Sequence, residues 1–241
     1  MNILLTGSDG FIGSHLHSHL KDKHNVIGID LKNGHDLLTC ELPDVDLVIH
    51  LAGLSGVRDS LTRPTDYWKT NVIGGQRLFD RYKDTRVIYA SSSTAHEPWK
   101  NPYAMSKYSL EQIAHKNSVG MRFTTVYGPN ARENMLIPMI LRNDVHYMNS
   151  NHSRDFIHVY DILSAIDAIM NNEVYGVLDI GTGETNRLLD IADYFKIDCI
   201  KMIGDETERL DNKADVTVLN NLGWQAKINL FKYIEENRNV N

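Results

Sequence analysis

MNILLTGSDGFIGSHLHSHL, residues 1–20, predicts a strand, a glycine-rich turn and a helix in succession. Residues 3–5 are an apolar run with the length of a strand. Gly7 permits the tight turn after it, Gly10 lets a pyrophosphate approach the backbone, and Gly13 lets the helix pack closely on the strand. The free N–H groups and the positive dipole end of the helix favour phosphate. The stretch therefore predicts a dinucleotide site.

The composition limits the class of protein. The 241 residues fit one domain with at most a small lobe, and the net charge of −6 argues against nucleic-acid or anionic-membrane binding. No apolar run reaches transmembrane length, and the chain enters a strand at once, so we expect neither a membrane span nor a signal peptide. Cys40 and Cys199 lack metal-ligand spacing and are expected to stay reduced in the cytoplasm. We expect no metal site, since nothing completes a ligand shell around His15, His17 and His19.

Strand and helix patterns alternate along the chain. Predicted strands cover residues 3–5, 25–30, 47–51, 86–90, 120–126 and 177–180, and predicted helices cover residues 65–82, 103–116, 159–170, 185–195 and 231–237. This alternation predicts an α/β fold with a doubly wound parallel sheet. The turn at Asn33-Gly34 leaves little room for a crossover helix between the second and third strands.

Asp30 follows the second predicted strand at the distance expected for a ribose-binding acid. A carboxylate there accepts hydrogen bonds from the adenosine ribose hydroxyls and repels a 2′-phosphate. It therefore favours NAD over NADP, although Lys32 nearby weakens that preference. The alternative interpretation is a capping Asp in a turn.

Ser92, Tyr103 and Lys107 form the pattern that carries chemistry. Tyr103 and Lys107 are four residues apart on a predicted helix and so share a face. A phenol has a reference pKa of about 10, and a nearby ammonium lowers the pKa by favouring the phenolate. Ser92, at the end of the preceding strand, can hold the substrate oxygen that Tyr103 deprotonates.

The motifs together resemble the extended short-chain dehydrogenase/reductase superfamily, in its nucleotide-sugar epimerase/dehydratase branch. The resemblance runs nearly end to end. It implies a compacted Rossmann fold with a small C-terminal substrate-binding lobe, with residues 1–127 and 157–183 binding the dinucleotide and residues 128–156 and 184–241 forming the lobe. It is carried by TGSDGFIG (6–13), HLAG (50–53), TNVIGG (70–75), YASSS (89–93), YAMSK (103–107), RFTTVYGP (122–129), RDFIHVYDI (154–162), DIGTG (179–183) and LGW (222–224).

The resemblance implies NAD as cofactor, with Tyr103 and Lys107 contacting its nicotinamide end. The further implied contacts are Gly7, Asp9, Gly10, Phe11, Ile12, Gly13, Asp30, Asp36, Leu37, Leu51, Ala52, Gly53 and Asn71.

Residues near the sugar site sort the families within this branch. Dehydratases and decarboxylases usually carry an acid two residues after the catalytic Ser/Thr, where this chain has Thr94. Residues 52–64 and 122–135 are similar to the corresponding segments of UDP-glucuronate 4-epimerases. That similarity implies sugar-binding roles for Thr125 and Arg132, and a diphosphate-binding role for Arg154. We also expect the Ser93 hydroxyl to bind the carboxylate of the sugar.

We therefore expect an NAD-dependent nucleotide-sugar 4-epimerase, similar to UDP-glucuronate 4-epimerase and acting on a UDP-sugar, that works through a transient 4-keto sugar. The alternatives are a UDP-hexose 4-epimerase, an NAD(P)-dependent sugar reductase, and a catalytically idle NAD-binding protein. The family resemblance also implies a homodimer formed through the helices at 65–82 and 103–116, with part of the Trp68, Val72 and Phe79 stripe buried. The short loop from Ser92 to Tyr103 departs from the family pattern.

Overall fold

The computed structural model describes residues 1–238, which fall into two compact units. The first comprises residues 1–123 and 172–178, and the second comprises residues 124–171 and the chain from Asp179 onward. Residues 159–170 were expected in the dinucleotide-binding domain, whereas in the structure they belong to the second compact unit. The assignment of a binding role to each unit stays a prediction.

The first unit contains the predicted doubly wound sheet. Within residues 1–238 the sheet has six strands in the order β10-β5-β4-β3-β1-β2, and the pairs from β2 to β5 are parallel. The fold class is therefore confirmed. The strands are β1 (Asn2–Thr6), β2 (Asn25–Ile29), β3 (Leu47–His50), β4 (Arg86–Ser92), β5 (Val119–Phe123) and β10 (Gly176–Ile180), of which residues 176–178 belong to this unit.

The helices of the first unit alternate with its strands along the chain. The segment predicted as one helix over 65–82 contains a π-helical turn at Trp68–Ile73 between two α-helical parts. The helix predicted over 103–116 begins at Pro102, where the Asn101 side chain accepts a hydrogen bond from Ala104 N, and it ends at Ile113. The helices are α1 (Phe11–Leu20), α2 (Val57–Thr62), α3 (Pro64–Tyr67), α4 (Gly74–Arg81) and α5 (Pro102–Ile113).

The crossover between β2 and β3 contains no α-helix among its residues 30–46, all of which the structure describes, and this confirms the prediction. One 3₁₀ turn, Leu31–Asn33, follows β2. Arg77 of α4 holds the rest of the crossover by donating hydrogen bonds to Leu37 O at 2.7 Å and Cys40 O at 2.6 Å.

The second unit is built from short elements around its own apolar core. The strand predicted over 120–126 ends at Phe123, and residues 125–127 form a separate strand, β6, which pairs in parallel with β9. The strands are β6 (Thr125–Tyr127), β7 (Tyr147–Asn149), β8 (Ser153–Arg154), β9 (Phe156–His158), β11 (Asn186–Arg187) and β12 (Ile200–Met202). The helices are α6 (Leu136–Leu141), α7 (Val159–Met170), α8 (Leu188–Tyr194), α9 (Thr217–Asn221) and α10 (Leu230–Asn237).

None of the helices within residues 1–238 has both the length and the apolar composition required to span a bilayer.

Candidate active site

The glycine-rich turn has the close packing that its sequence predicts. Gly7 adopts a left-handed φ of +73°, and a Cβ on Gly13 would lie 1.9 Å from Gly7 O, so neither position accepts a side chain. Gly10 precedes α1 without a side-chain cap, and the first turn carries no acid. The first N–H groups of α1 are thus available to an anion, which fits the diphosphate of NAD.

Asp30 lies beside this turn at the end of β2. Its carboxylate accepts hydrogen bonds from Asp9 N at 3.1 Å and Lys32 N at 2.9 Å. Lys32 Nζ in turn donates to Asp9 O at 2.7 Å. Asp30 therefore caps a turn, as the alternative interpretation holds, and it does so next to the phosphate loop, where the ribose-binding role requires it.

The expected adenine contacts, Asp36 and Leu37, have structural roles as well. The Asp36 carboxylate accepts a hydrogen bond from Leu38 N at 2.9 Å, and Leu37 is buried in the apolar core of the first unit. The cofactor roles of both residues stay predictions.

The cofactor contacts expected after β3, Leu51, Ala52 and Gly53, lie in a turn that is held by Asn71. The Asn71 amide is fully buried and exchanges hydrogen bonds with Leu54 N at 2.8 Å and Leu54 O at 3.0 Å. A Cβ on Gly53 would lie 2.9 Å from Asn71 Oδ1 and 3.3 Å from Lys107 Nζ. The backbone at Gly53 thus lies directly against the lysine of the YAMSK motif.

Tyr103 and Lys107 lie one turn apart on α5, and Ser92 ends β4. Lys107 is 4% exposed and its Nζ donates to Ala90 O at 2.9 Å. Burial lowers the pKa of Lys107 to about 8, against the opposing effect of Glu111. The Tyr103 ring packs edge-to-face on Tyr67, with ring centroids 5.9 Å apart. Below this pKa the Lys107 side chain carries a positive charge, which favours the phenolate form of a nearby phenol.

Ser92 Oγ accepts hydrogen bonds from Thr94, from the hydroxyl at 2.9 Å and from the backbone N at 3.2 Å. Thr94 thus lies beside Ser92, at the position two residues further along the chain where dehydratases usually carry an acid. Ser93 follows Ser92 at the start of the 3₁₀ turn Ser93–His96 and is buried.

His50 is a site residue that sequence reasoning used only as the first letter of the HLAG motif. Its ring is fully buried at the end of β3, and Nδ1 lies 2.7 Å from Thr6 Oγ1. Burial, together with the positive charge of Lys107, lowers the pKa of His50 to about 3, so the ring is neutral.

Sequence reasoning also missed Glu111, which follows Lys107 by one helical turn. Its buried carboxylate accepts hydrogen bonds from Ser91 Oγ and from the Arg122 guanidinium. The four-residue spacing from Lys107 to Glu111 was the available signal.

The expected substrate residues Thr125, Arg132 and Arg154 belong to the second unit. Thr125 Oγ1 accepts a hydrogen bond from Asn212 at 3.1 Å, and Arg132 is exposed. Arg154 is mostly buried and bonded within its unit, including an ion pair with Glu208 at 3.1 Å. Burial lowers the pKa of Arg154, and Glu208 opposes that effect.

No three His, Cys, Asp or Glu side chains within residues 1–238 are grouped so that they could hold a metal ion.

The model of the NAD dependent epimerase/dehydratase family matches residues 3–181. The chain belongs to this family. Membership confirms the resemblance found in the motifs and makes the chain an enzyme of an NAD-dependent, nucleotide-sugar-modifying family.

Relatives and solved structures of the family cover most of the chain. An uncharacterised UDP-glucose epimerase, YtcB of Bacillus subtilis strain 168, is 30% identical over 80% of each chain. The structure of MoeE5 in complex with UDP-glucuronic acid and NAD is 28% identical, with a TM-score of 0.84 over 98% of this chain and 97% of MoeE5. The UDP-glucuronic acid 4-epimerase of Bacillus cereus, in complex with UDP-glucuronic acid and NAD, is 26% identical, with a TM-score of 0.86 over 99% and 98% of the two chains.

The alignment with YtcB spans 253 positions and covers 80% of this chain of 241 residues, so YtcB has residues at positions where this chain has gaps.

Proposed function

We propose that this protein is a UDP-glucuronate 4-epimerase. The observation that carries epimerisation is the hydrogen bond from the Thr94 hydroxyl to Ser92 Oγ at 2.9 Å. A hydroxyl at this position cannot serve as the carboxylate base that dehydration or decarboxylation would use, so the site is left with the Ser92, Tyr103 and Lys107 set.

Each of these side chains has one task in the proposed reaction. Tyr103 removes the proton of the sugar 4-hydroxyl, Ser92 donates a hydrogen bond to the same oxygen, and Lys107 favours the phenolate form of Tyr103. Bound NAD would supply a reversible hydride acceptor for carbon 4, so the reaction would have no net redox change. Tyr103 returns the proton to the 4-oxygen in the second half of the reaction.

The choice of a uronic acid rests on Thr125 and Arg132. Both occupy positions that the resemblance associates with the sugar site, and an arginine there can bind a carboxylate through two parallel hydrogen bonds. The similarity to the Bacillus cereus enzyme, whose structure contains UDP-glucuronic acid, supports this choice. We further propose that Ser93 contributes to binding the carboxylate and that Arg154 binds the UDP diphosphate.

A second candidate, a UDP-hexose 4-epimerase, is favoured by one observation. MoeE5 is found in complex with UDP-glucose as well, and that structure is 27% identical with a TM-score of 0.86.

The test is to incubate the purified protein with UDP-, GDP- and dTDP-sugars and to search for the C4 epimer by NMR, without added NAD. We expect UDP-glucuronate to give UDP-galacturonate with no net NADH. Turnover of UDP-glucose alone would favour the hexose epimerase, stoichiometric NADH consumption would indicate a reductase, and NAD binding without turnover would indicate an idle protein.

A further inference from the structure

Helix α5 is bonded to the end of β4 at two levels, one helical turn apart. Lys107 Nζ donates to Ala90 O at 2.9 Å, and Ser91 Oγ donates to Glu111 Oε1 at 2.5 Å. These bonds attach the helix that carries Tyr103 to the two residues that immediately precede Ser92. The spacing between the proposed catalytic hydroxyls therefore depends on both bonds.

The carboxylate of Glu111 is buried and fully matched by donors. Its side chain is 1% exposed, and Arg122 of β5 binds it in the parallel two-bond arrangement, at 2.8 Å and 2.6 Å. Arg122 is the register partner of Ser91 in the neighbouring strand. One carboxylate thus joins α5, β4 and β5.

Arg122 also reaches the loop that follows Ser92. Its Nη1 lies 3.1 Å from His96 Nδ1, at the end of the 3₁₀ turn that Ser92 caps. The network that begins at Glu111 therefore continues to the far side of Ser92, into the loop that departs most from the family pattern.

Glu111 also supplies a negative charge that acts on Lys107. The two residues are four apart on α5, and the positive charge of Lys107 acts in turn on the buried, neutral ring of His50 on β3. Burial lowers the pKa of Lys107, and the charge of Glu111 opposes this effect.

We propose that Glu111 is a positioning residue of the catalytic centre, which sets the place of Ser92 relative to Tyr103. The negative charge of Glu111 also favours the protonated form of Lys107. This inference rests on the proposed function. An ion pair that only stabilised the fold would leave kcat unchanged in any variant that folds.

The first measurement is the titration of Lys107 in the purified protein, by ¹³C NMR of its ε-carbon, assigned by its loss in Lys107→Ala. The wild-type midpoint should lie at about 8. Glu111→Gln preserves the shape of the side chain and removes the charge, so the midpoint should fall by about one pH unit. Glu236→Gln, in an exposed ion pair with Lys232, is the matched control and should leave it unchanged. This readout does not require turnover, so it tests Glu111 even if every sugar fails as substrate.

The second measurement is turnover of UDP-glucuronate. In Glu111→Gln we expect kcat to fall at least tenfold with KM within about twofold, and the alkaline limb of kcat to move to lower pH. Because this variant leaves Arg122 buried without its partner, it can lose stability. Glu111→Gln with Arg122→Gln removes both charges, and we expect it to fold while kcat remains low.

A folded double variant with wild-type kcat would overturn the positioning role, and an unchanged Lys107 midpoint in Glu111→Gln would overturn the effect of the Glu111 charge on Lys107. Absence of turnover in the wild type, with the shifted midpoint observed, would instead count against the proposed function alone.

Discussion

Thr6 Oγ1 and His50 Nδ1 lie 2.7 Å apart in the interior, where these two residues are register partners on strands β1 and β3. Because burial lowers the pKa of His50 from 6.5 to about 3, the unfolded chain binds a proton at pH 5 that the folded chain does not. Stability contributed by neutral His50 is therefore complete above about pH 6.5 and is lost as the pH falls towards 3.

From these two pKa values, we expect the protein to lose about 2 kcal/mol of unfolding free energy between pH 8 and pH 5 through His50 alone. Urea unfolding at several pH values measures the slope. His50→Asn removes the titrating group, so its stability should depend less on pH over this range. Equal slopes in both proteins would contradict the prediction.

The cofactor preference should depend on the charge of Asp30. Asp30→Asn preserves an oxygen that can accept from Asp9 N and Lys32 N, but it lacks the charge that repels a 2′-phosphate. We expect the ratio of NADP to NAD affinity to rise about tenfold, equivalent to about 1.4 kcal/mol. Calorimetry with both nucleotides measures it, and Asp44→Asn, at an exposed carboxylate paired with Arg81, is the control. Equal affinities of the unmodified protein for NAD and NADP would contradict the proposed role of Asp30.

Tyr103→Phe should abolish turnover because it removes the proton acceptor and leaves the ring that packs on Tyr67. Folding and NAD binding should survive, as checked by circular dichroism and calorimetry. In the wild type, deuterium from solvent should not appear at carbon 4 of the product, since that hydrogen travels as hydride. Residual activity above a few per cent in Tyr103→Phe would assign the base elsewhere.

The uronate proposal predicts a selective loss in Arg132→Ala. We expect kcat/KM for UDP-glucuronate to fall about 100-fold, with a much smaller loss for UDP-glucose, because only the former has a carboxylate to bind. Thr125→Val should act in the same direction. Arg187→Ala, at another exposed arginine of the second unit, is the control. The opposite ranking of substrates would remove the glucuronate assignment and leave the epimerase proposal.

A homodimer through α5 and the helical segment at 64–81 stays a prediction, with a revised contact face. Val72 and Phe79 are buried within the first unit, so of the expected stripe Trp68 remains accessible, and Ile73 is also about half exposed. We expect Trp68→Ser with Ile73→Ser to convert a dimer to a monomer in light scattering at micromolar concentration. Ile203→Ser, at an 82% exposed apolar residue of the second unit, should leave the dimer intact. A monomeric wild type would contradict the prediction.

The sequence was sufficient for the fold because its signals are local. The three glycines of the turn and the alternating strands required only spacing to be recognised, and α7 was predicted with the bounds that the structure has. The helix-free crossover could be predicted because the residues between the second and third predicted strands leave little room for a crossover helix. Within the site, Tyr103 and Lys107 share a helix face, so their relation followed from the helical period.

Contacts between residues distant in sequence could not be predicted in this way. The pairing of Glu111 with Arg122 and the contact of Thr6 with His50 depend on strand order. The strand predicted over 120–126 was wrong in its second half, because Thr124 N bonds to Ile180 O and residues 125–127 pair with β9 instead. No local pattern of apolar residues reports such a change of partner.

The helix-free crossover has a consequence for the order of folding. In a βαβ unit with a crossover helix, the connection can form its own hydrogen bonds locally before the sheet is complete. Here the carbonyls of Leu37, Cys40 and Pro43 are held by Arg77 and Tyr82, which lie 37 to 40 residues further along the chain. We expect these bonds to form only after α4 has formed. Contacts between residues so far apart in sequence raise contact order, so we also expect them to slow folding.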